Sequence, residues 1–153
     1  MLVDSWSATA ETHATPEQLL EVLTHPEEIR RWSPVDFDVD DLQARRLAAG
    51  TRTTVTGRLA GVPVTFDVQV HAADQDRLEL SADGPVGFDV RYDLAPAALG
   101  AEMTASVAVR RGGGITGRVV AKAAEALLAA GALDGATGRI VQAAESRVLA
   151  LAA

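Results

Sequence analysis

Residues 62–94 read "VPVTFDVQVHAADQDRLELSADGPVGFDVRYDL", and their period decides the fold. Val62, Val64, Phe66, Val68 and Val70 recur at every second position, as do Phe88, Val90, Tyr92 and Leu94. Between them stand Asp67, Gln69, His71, Asp89, Arg91 and Asp93. Successive side chains of a strand point to opposite faces, so each run has one dry face and one wet face. A parallel sheet covered on both sides reads as continuous apolar runs, whereas clean alternation belongs to an antiparallel sheet.

Working outward, the same period holds for most of the chain from Val35 to Arg111, broken by turn sequences at "LAAGT", "LAGVP", "AADQD", "ADGPVG" and "APAALGA". These breaks predict six strands, over 35–46, 51–60, 62–72, 77–83, 86–95 and 101–111. The last carries Met103, Ala105, Val107 and Val109 on one face and Glu102, Thr104 and Ser106 on the other. A seventh strand is predicted at 2–12, where Leu2, Asp4, Trp6, Ala8 and Ala10 share a face.

Two short helices are expected between the first and second strands. Thr15 is an N-cap, Pro16 suits the first helical position, and Gln18 completes a capping box. "HPEEIRRW" then restarts a helix, because the residue before Pro26 is pushed out of helical geometry. After residue 114 the period turns helical, with Ile115, Val119, Ala123, Leu127, Leu133, Ala136, Ile140, Ala144, Val148 and Leu151 forming the expected apolar stripe. A straight helix of this span measures about 55 Å, against a radius of gyration of about 15 Å for a compact domain of this size. Either the helix bends, with Gly131, Gly135 and Gly138 marking the place, or its end protrudes and packs on a second copy as a homodimer.

Gly112, Gly114 and Gly117 match the spacing G-x-G-x-x-G of a dinucleotide-binding turn. That motif works only inside a βαβ unit, with an acidic residue ending a second parallel strand. Here the chain ends after the helix, and Asp134 falls in helical pattern. The glycines are therefore assigned to a sharp turn that carries the chain from the last strand across the dry face.

The 153 residues fit a single domain, 1–153, with a sizeable core. Cysteine is absent, which excludes disulfides, thiolate metal sites and a Cys nucleophile. Acidic residues number 21 against 14 basic, for a net charge of -7, and a nucleic-acid partner needs a concentrated basic face. The N-terminus lacks a basic start followed by an apolar stretch, and no long uncharged apolar run occurs. The expectation is a soluble, cytoplasmic protein without stable membrane insertion.

The order strand, two short helices, six antiparallel strands and long C-terminal helix resembles the START-like or SRPBCC superfamily, the helix-grip fold of the birch pollen allergen. Within it the chain is most similar to bacterial polyketide cyclase/dehydrase-like proteins. "ATAETHATPEQLLEVLTHPEEIRRWSP", "GTRTTVTG", "GFDVRYDL" and "GGGITGRVVAKAAEALLAAGALDGATGRIVQAAE" carry the likeness over nearly the whole chain. The resemblance implies an α+β fold: a seven-stranded antiparallel curved sheet wrapped around the C-terminal helix, with a pocket between them. The residues agree, since a one-sided sheet must be covered. The covering helix offers Ala121, Ala123, Ala124, Ala126, Ala129 and Ala130, which either let helix and sheet approach closely or leave a cavity.

In such a pocket the chain is expected to bind a small hydrophobic or aromatic molecule, with polyketide cyclase/dehydrase-like chemistry as one outcome and no cofactor. The alternative is a lipid-binding carrier or interaction protein without catalysis, similar to an accessory component of carbon monoxide dehydrogenase or to coenzyme Q-binding relatives. The expected ligand-binding residues are Trp6, Trp32, Phe66, Phe88, Val90, Tyr92, Met103 and Leu127. Trp6 and Tyr92 combine a ring with a hydrogen-bonding tip, which suits either a guest or ordinary core packing. Tyr92 and Arg31 are the catalytic candidates, Arg31 because an arginine at the pocket mouth could hold a carboxylate or polarise a ketone. Asp4 would serve as an acid or base only if buried, and Arg30 and Arg31 have solvated positions beside Glu27 and Glu28 as their alternative.

No metal set is expected from His13, His25 and His71, which lie in separate turns and on the wet face. "DFDVDDL" lacks the glycine and terminal glutamate of a calcium loop and reads as a strand with an acidic wet face. The serines form neither a nucleophile elbow nor a triad.

Overall fold

The computed structural model describes residues 4–33, 37–39, 46–59, 61–110 and 114–152. Seven strands form one sheet: β1 (Asp4–Thr12), β2 (Phe37–Val39), β3 (Arg52–Leu59), β4 (Val62–Ala73), β5 (Arg77–Asp83), β6 (Gly87–Ala97) and β7 (Gly100–Arg110). Their spatial order is β1-β7-β6-β5-β4-β3-β2, and every pairing is antiparallel. Two short helices, α1 (Pro16–Thr24) and α2 (Pro26–Trp32), carry the chain from β1 to β2 at opposite edges. Two more, α3 (Gly114–Ala129) and α4 (Ala132–Ala152), follow β7. This is the α+β helix-grip arrangement, an open curved sheet with a long C-terminal helix.

Local signals set these elements. The Thr15 Oγ1 accepts from the Gln18 N–H at 3.2 Å, and the Gln18 Oε1 accepts from the Thr15 N–H at 2.8 Å. Both orphan donors at the helix start are thereby satisfied. His25 adopts extended geometry (φ -85, ψ 120) before Pro26 and both ends α1 and opens α2. The alternation also survives folding. On β6, Phe88, Val90, Tyr92 and Leu94 face inward, while Asp89 and Arg91 are turned towards solvent.

Of the expected strand 35–46, the described residues place Phe37–Val39 in β2 and Arg46 outside strand geometry; the rest, with much of "DFDVDDL", lies outside the described residues. The end of α1 anchors the chain that follows: the Thr24 carbonyl accepts from the Leu47 N–H at 2.9 Å, and the Arg46 Nε donates to the Thr24 Oγ1 at 3.0 Å.

The C-terminal segment breaks rather than protruding, and it breaks at one glycine. Gly131 has φ +94, a left-handed conformation that only glycine adopts without cost. Gly135 and Gly138, also expected to mark the bend, continue inside α4. The continuous apolar stripe is corrected as well. α4 buries Leu133, Ala136, Ile140 and Ala144 as its pattern demands, against β1 and the α1–α2 pair. α3 instead turns Ile115 (82% exposed) and Val119 (53%) to solvent and buries Gly117, Val120, Ala121 and Ala124. With the break at Gly131 the two helices are oriented independently. The sheet then takes the face of α3 whose small side chains allow close approach.

The core accordingly has two parts. One gathers α1, α2, α4, β1 and the inner faces of β5 to β7, with Leu19, Leu23, Leu78, Met103 and Ile140 essentially unexposed. The other joins Val64, Phe66, Val86 and Val109 to Val120 and Ala121 of α3. Among the described residues no helix is long and apolar enough to cross a membrane.

Candidate functional site

Between the α1–α2 pair and the inner faces of β3 to β6 lies a cavity of about 310 Å³. Its walls follow from the alternation. Strand period two delivers Thr53 and Val55 of β3, Phe66 and Val68 of β4, Leu78 and Leu80 of β5, and Phe88, Val90 and Tyr92 of β6. Leu23, Ile29 and Trp32 close it from the helices, and Phe37 of β2 closes it at the edge. Phe88 and Val90 face inward yet are only half-buried, so part of their apolar surface remains uncovered.

Trp32 is fixed from two sides. Its indole N–H donates to the Val22 carbonyl at 3.1 Å, and its own carbonyl accepts from the Arg139 Nε at 3.1 Å. Its ring meets Tyr92 edge to face, with centroids 6.1 Å apart and planes at 77°, a favourable quadrupole geometry. Phe66 and Phe88 form a second ring pair at 5.5 Å.

Two polar groups in this apolar wall matter for chemistry. Tyr92 is buried (6% exposed) and lines the cavity. Burial alone pushes its phenol well above the ordinary value of 10.0, because the phenolate is desolvated. The group is therefore a neutral hydrogen-bond donor at any physiological pH. Thr53 is the second: its Oγ1 is buried and unpaired. A rotation of about 120° about χ1 exchanges its methyl for its hydroxyl at the wall. Native proteins leave few such groups unsatisfied, so each calls for an explanation. Among the described residues the cavity is lined by no carboxylate, imidazole, ammonium or guanidinium.

A second, smaller cavity of about 170 Å³ lies beneath the α3–α4 break, lined by Leu127, Leu128, Leu133 and Ala136 together with Trp32, Phe88, Val90 and Tyr92.

The residues expected from sequence separate as follows. Trp32, Phe66, Phe88, Val90 and Tyr92 line the larger cavity, and Leu127 lines the smaller. Trp6 is half-buried between the two core clusters, and Met103 is wholly buried in the first; neither lines these cavities. Arg31 sits on the outer side of α2, with its side chain 75% exposed and 3.6 Å from the Glu28 carboxylate. It borders a shallow groove between α2 and α4 and does not join Tyr92. Arg30 lies over Phe37 at 5.8 Å from the ring, so it approaches the larger cavity only through that ring. Asp4 opens β1, and its side chain lies outside what is described. His71 bonds Ser81 at 2.9 Å through its Nε2.

Thr53 is a lining residue that the sequence reading misses, although a signal for it exists. It shares a face with Val55 and stands opposite Val68, whose inward direction the alternation of β4 fixes.

A family described as "Polyketide cyclase / dehydrase and lipid transport" matches residues 5–145. Among curated proteins none matches the chain in sequence. Solved structures are similar in fold. The Zhui aromatase/cyclase of Streptomyces sp. R1128 superposes with TM-score 0.71 at 14% identity, over 96% of each chain. A protein of unknown function from Staphylococcus aureus, SA2116, gives 0.66 at 9% identity over 97% of each. Ara h 8.0201 gives 0.57 at 14% identity, over 92% of this chain and 99% of that one.

Proposed function

Since the chain belongs to the polyketide cyclase/dehydrase and lipid transport family, we propose that it is a non-covalent binding module for a small hydrophobic or aromatic molecule carrying a hydrogen-bonding oxygen. One observation carries this reading: an apolar cavity of about 310 Å³ whose wall includes the Tyr92 phenol and Thr53, the latter with a buried, unpaired hydroxyl. Sites for small molecules combine mostly apolar walls with a few placed polar groups in this way. The apolar wall supplies affinity, at about 25 cal/mol for each Å² removed from water. The hydroxyls supply orientation, and a guest that satisfies that of Thr53 removes a standing desolvation penalty.

The cyclase/dehydrase reading draws on the same Tyr92. A neutral phenol can donate to a ketone oxygen as an enolate develops on it. Proton abstraction beside that ketone requires a base within hydrogen-bond reach, and none of the described lining residues offers one. Binding is therefore favoured over catalysis. The interaction-protein reading draws on Ile115 and Val119, exposed on α3. It also expects a filled core, and the cavity argues against that.

The test compares 2-acetonaphthone with 2-ethylnaphthalene, a ketone and a hydrocarbon of similar shape, by isothermal titration. Tyr92→Phe is expected to weaken the ketone about fivefold, equivalent to about 1 kcal/mol for one hydrogen bond, and to leave the hydrocarbon unchanged. Failure of both molecules to bind the unaltered protein, or equal losses for both in the variant, would refute the reading.

A further inference from the structure

The larger and smaller cavities are bounded by the same four residues, Trp32, Phe88, Val90 and Tyr92. Two of them, Trp32 and Tyr92, touch edge to face and are buried. The other two, Phe88 and Val90, are neighbours on the inner face of β6 and are only half-buried although they point away from the wet face. An inward-facing residue that keeps exposed surface has uncovered space beside it, and that space is claimed by both cavities.

We infer that the two cavities form one two-lobed site, joined over Phe88 and Val90 and pinched on one side by the Trp32–Tyr92 contact. It takes an elongated apolar molecule with a single oxygen group. The inference rests on the binding role proposed above and adds the shape of the guest. In the first lobe the Tyr92 and Thr53 hydroxyls hold the oxygen end. The second lobe, under Leu127, Leu128 and Ala136 at the α3–α4 break, receives the far end and sets how long a guest is accepted. Leu127, 37% exposed, stands at its mouth. The two lobes differ in polarity accordingly: the second is lined, apart from the shared Trp32 and Tyr92, by aliphatic and phenyl side chains alone.

Straight-chain primary alcohols from hexanol to hexadecanol, titrated into the intact protein, test this. Each methylene buried is expected to raise affinity about fourfold, or about 0.8 kcal/mol, and the rise should continue past the length that fills the first lobe. Ala136→Leu fills the second lobe without touching the first. It should leave short alcohols unchanged and stop the rise early, by tenfold or more for the longest. Leu127→Trp, at a partly exposed position that tolerates change, should truncate the rise in the same way if Ala136→Leu lowers the yield of folded protein. A plateau at the same length in all three proteins, while short alcohols still bind, overturns the two-lobed site alone. Absence of binding at every length overturns both this inference and the binding role.

Discussion

Tyr92 and Thr53 show how one hydroxyl in an apolar wall has opposite effects on stability and recognition. An unpaired buried hydroxyl costs about 1–3 kcal/mol, so Thr53→Val, which keeps the side-chain shape, is expected to stabilise the protein by about 1 kcal/mol in urea denaturation. It should also weaken an oxygenated guest several-fold. Stabilisation without loss of binding would remove Thr53 from the site. For Tyr92 the sign runs through its proton. Its phenol titrates higher folded than the unfolded value of 10.0, so the unfolded chain gives up the proton first and stability falls as pH rises above 10. Tyr92→Phe should flatten that alkaline decline, and ketone affinity in the unaltered protein should stay level from about pH 6 to about pH 9, as expected of a neutral phenol. Tyr92 is legible in sequence because an aromatic hydroxyl stands at an inward position of a clean alternation. Arg31 is not placed by that logic. The seven residues of α2 offer too short a period from which to choose a face, and the Arg31 guanidinium settles beside Glu28 in solvent.

At the scale of elements, period two translates directly into structure. The inward sets of β4, β6 and β7 fall where the valines and aromatics place them, because a slip of one residue would expose the whole set. The helical half is legible in type and not in orientation. Ile115, Val119, Ala123 and Leu127 make the more hydrophobic stripe of α3, but the sheet accepts the face of Gly117, Ala121 and Ala124, since close approach depends on size as well as polarity. The three glycines of the C-terminal segment look alike in sequence, and only backbone geometry separates them. Gly131→Ala should destabilise by about 1 kcal/mol, from the left-handed conformation alone, as an added Cβ would meet nothing within 4 Å. Gly138→Ala, inside α4 and equally free of neighbours, should stabilise by about 0.5–1 kcal/mol. Paired urea titrations check both signs; equal effects would mean that Gly131 does not act as the break.

For the whole molecule, the sheet, the α1–α2 pair and the broken C-terminal helix leave a hollow because no element is wide enough to fill it. α4 commits its apolar face to β1, α1 and α2, and α3 commits its small-residue face to β3 and β7. The inner surface of β6 lies between these two commitments and stays partly bare. Nuclear Overhauser contacts between protonated 1-octanol and the isotope-labelled protein test most directly whether that hollow is where a guest is held. Contacts to the Phe88, Val90 and Tyr92 side chains are expected, with none to Ile115. Contacts confined to Ile115 and Val119, on the outer face of α3, would contradict it.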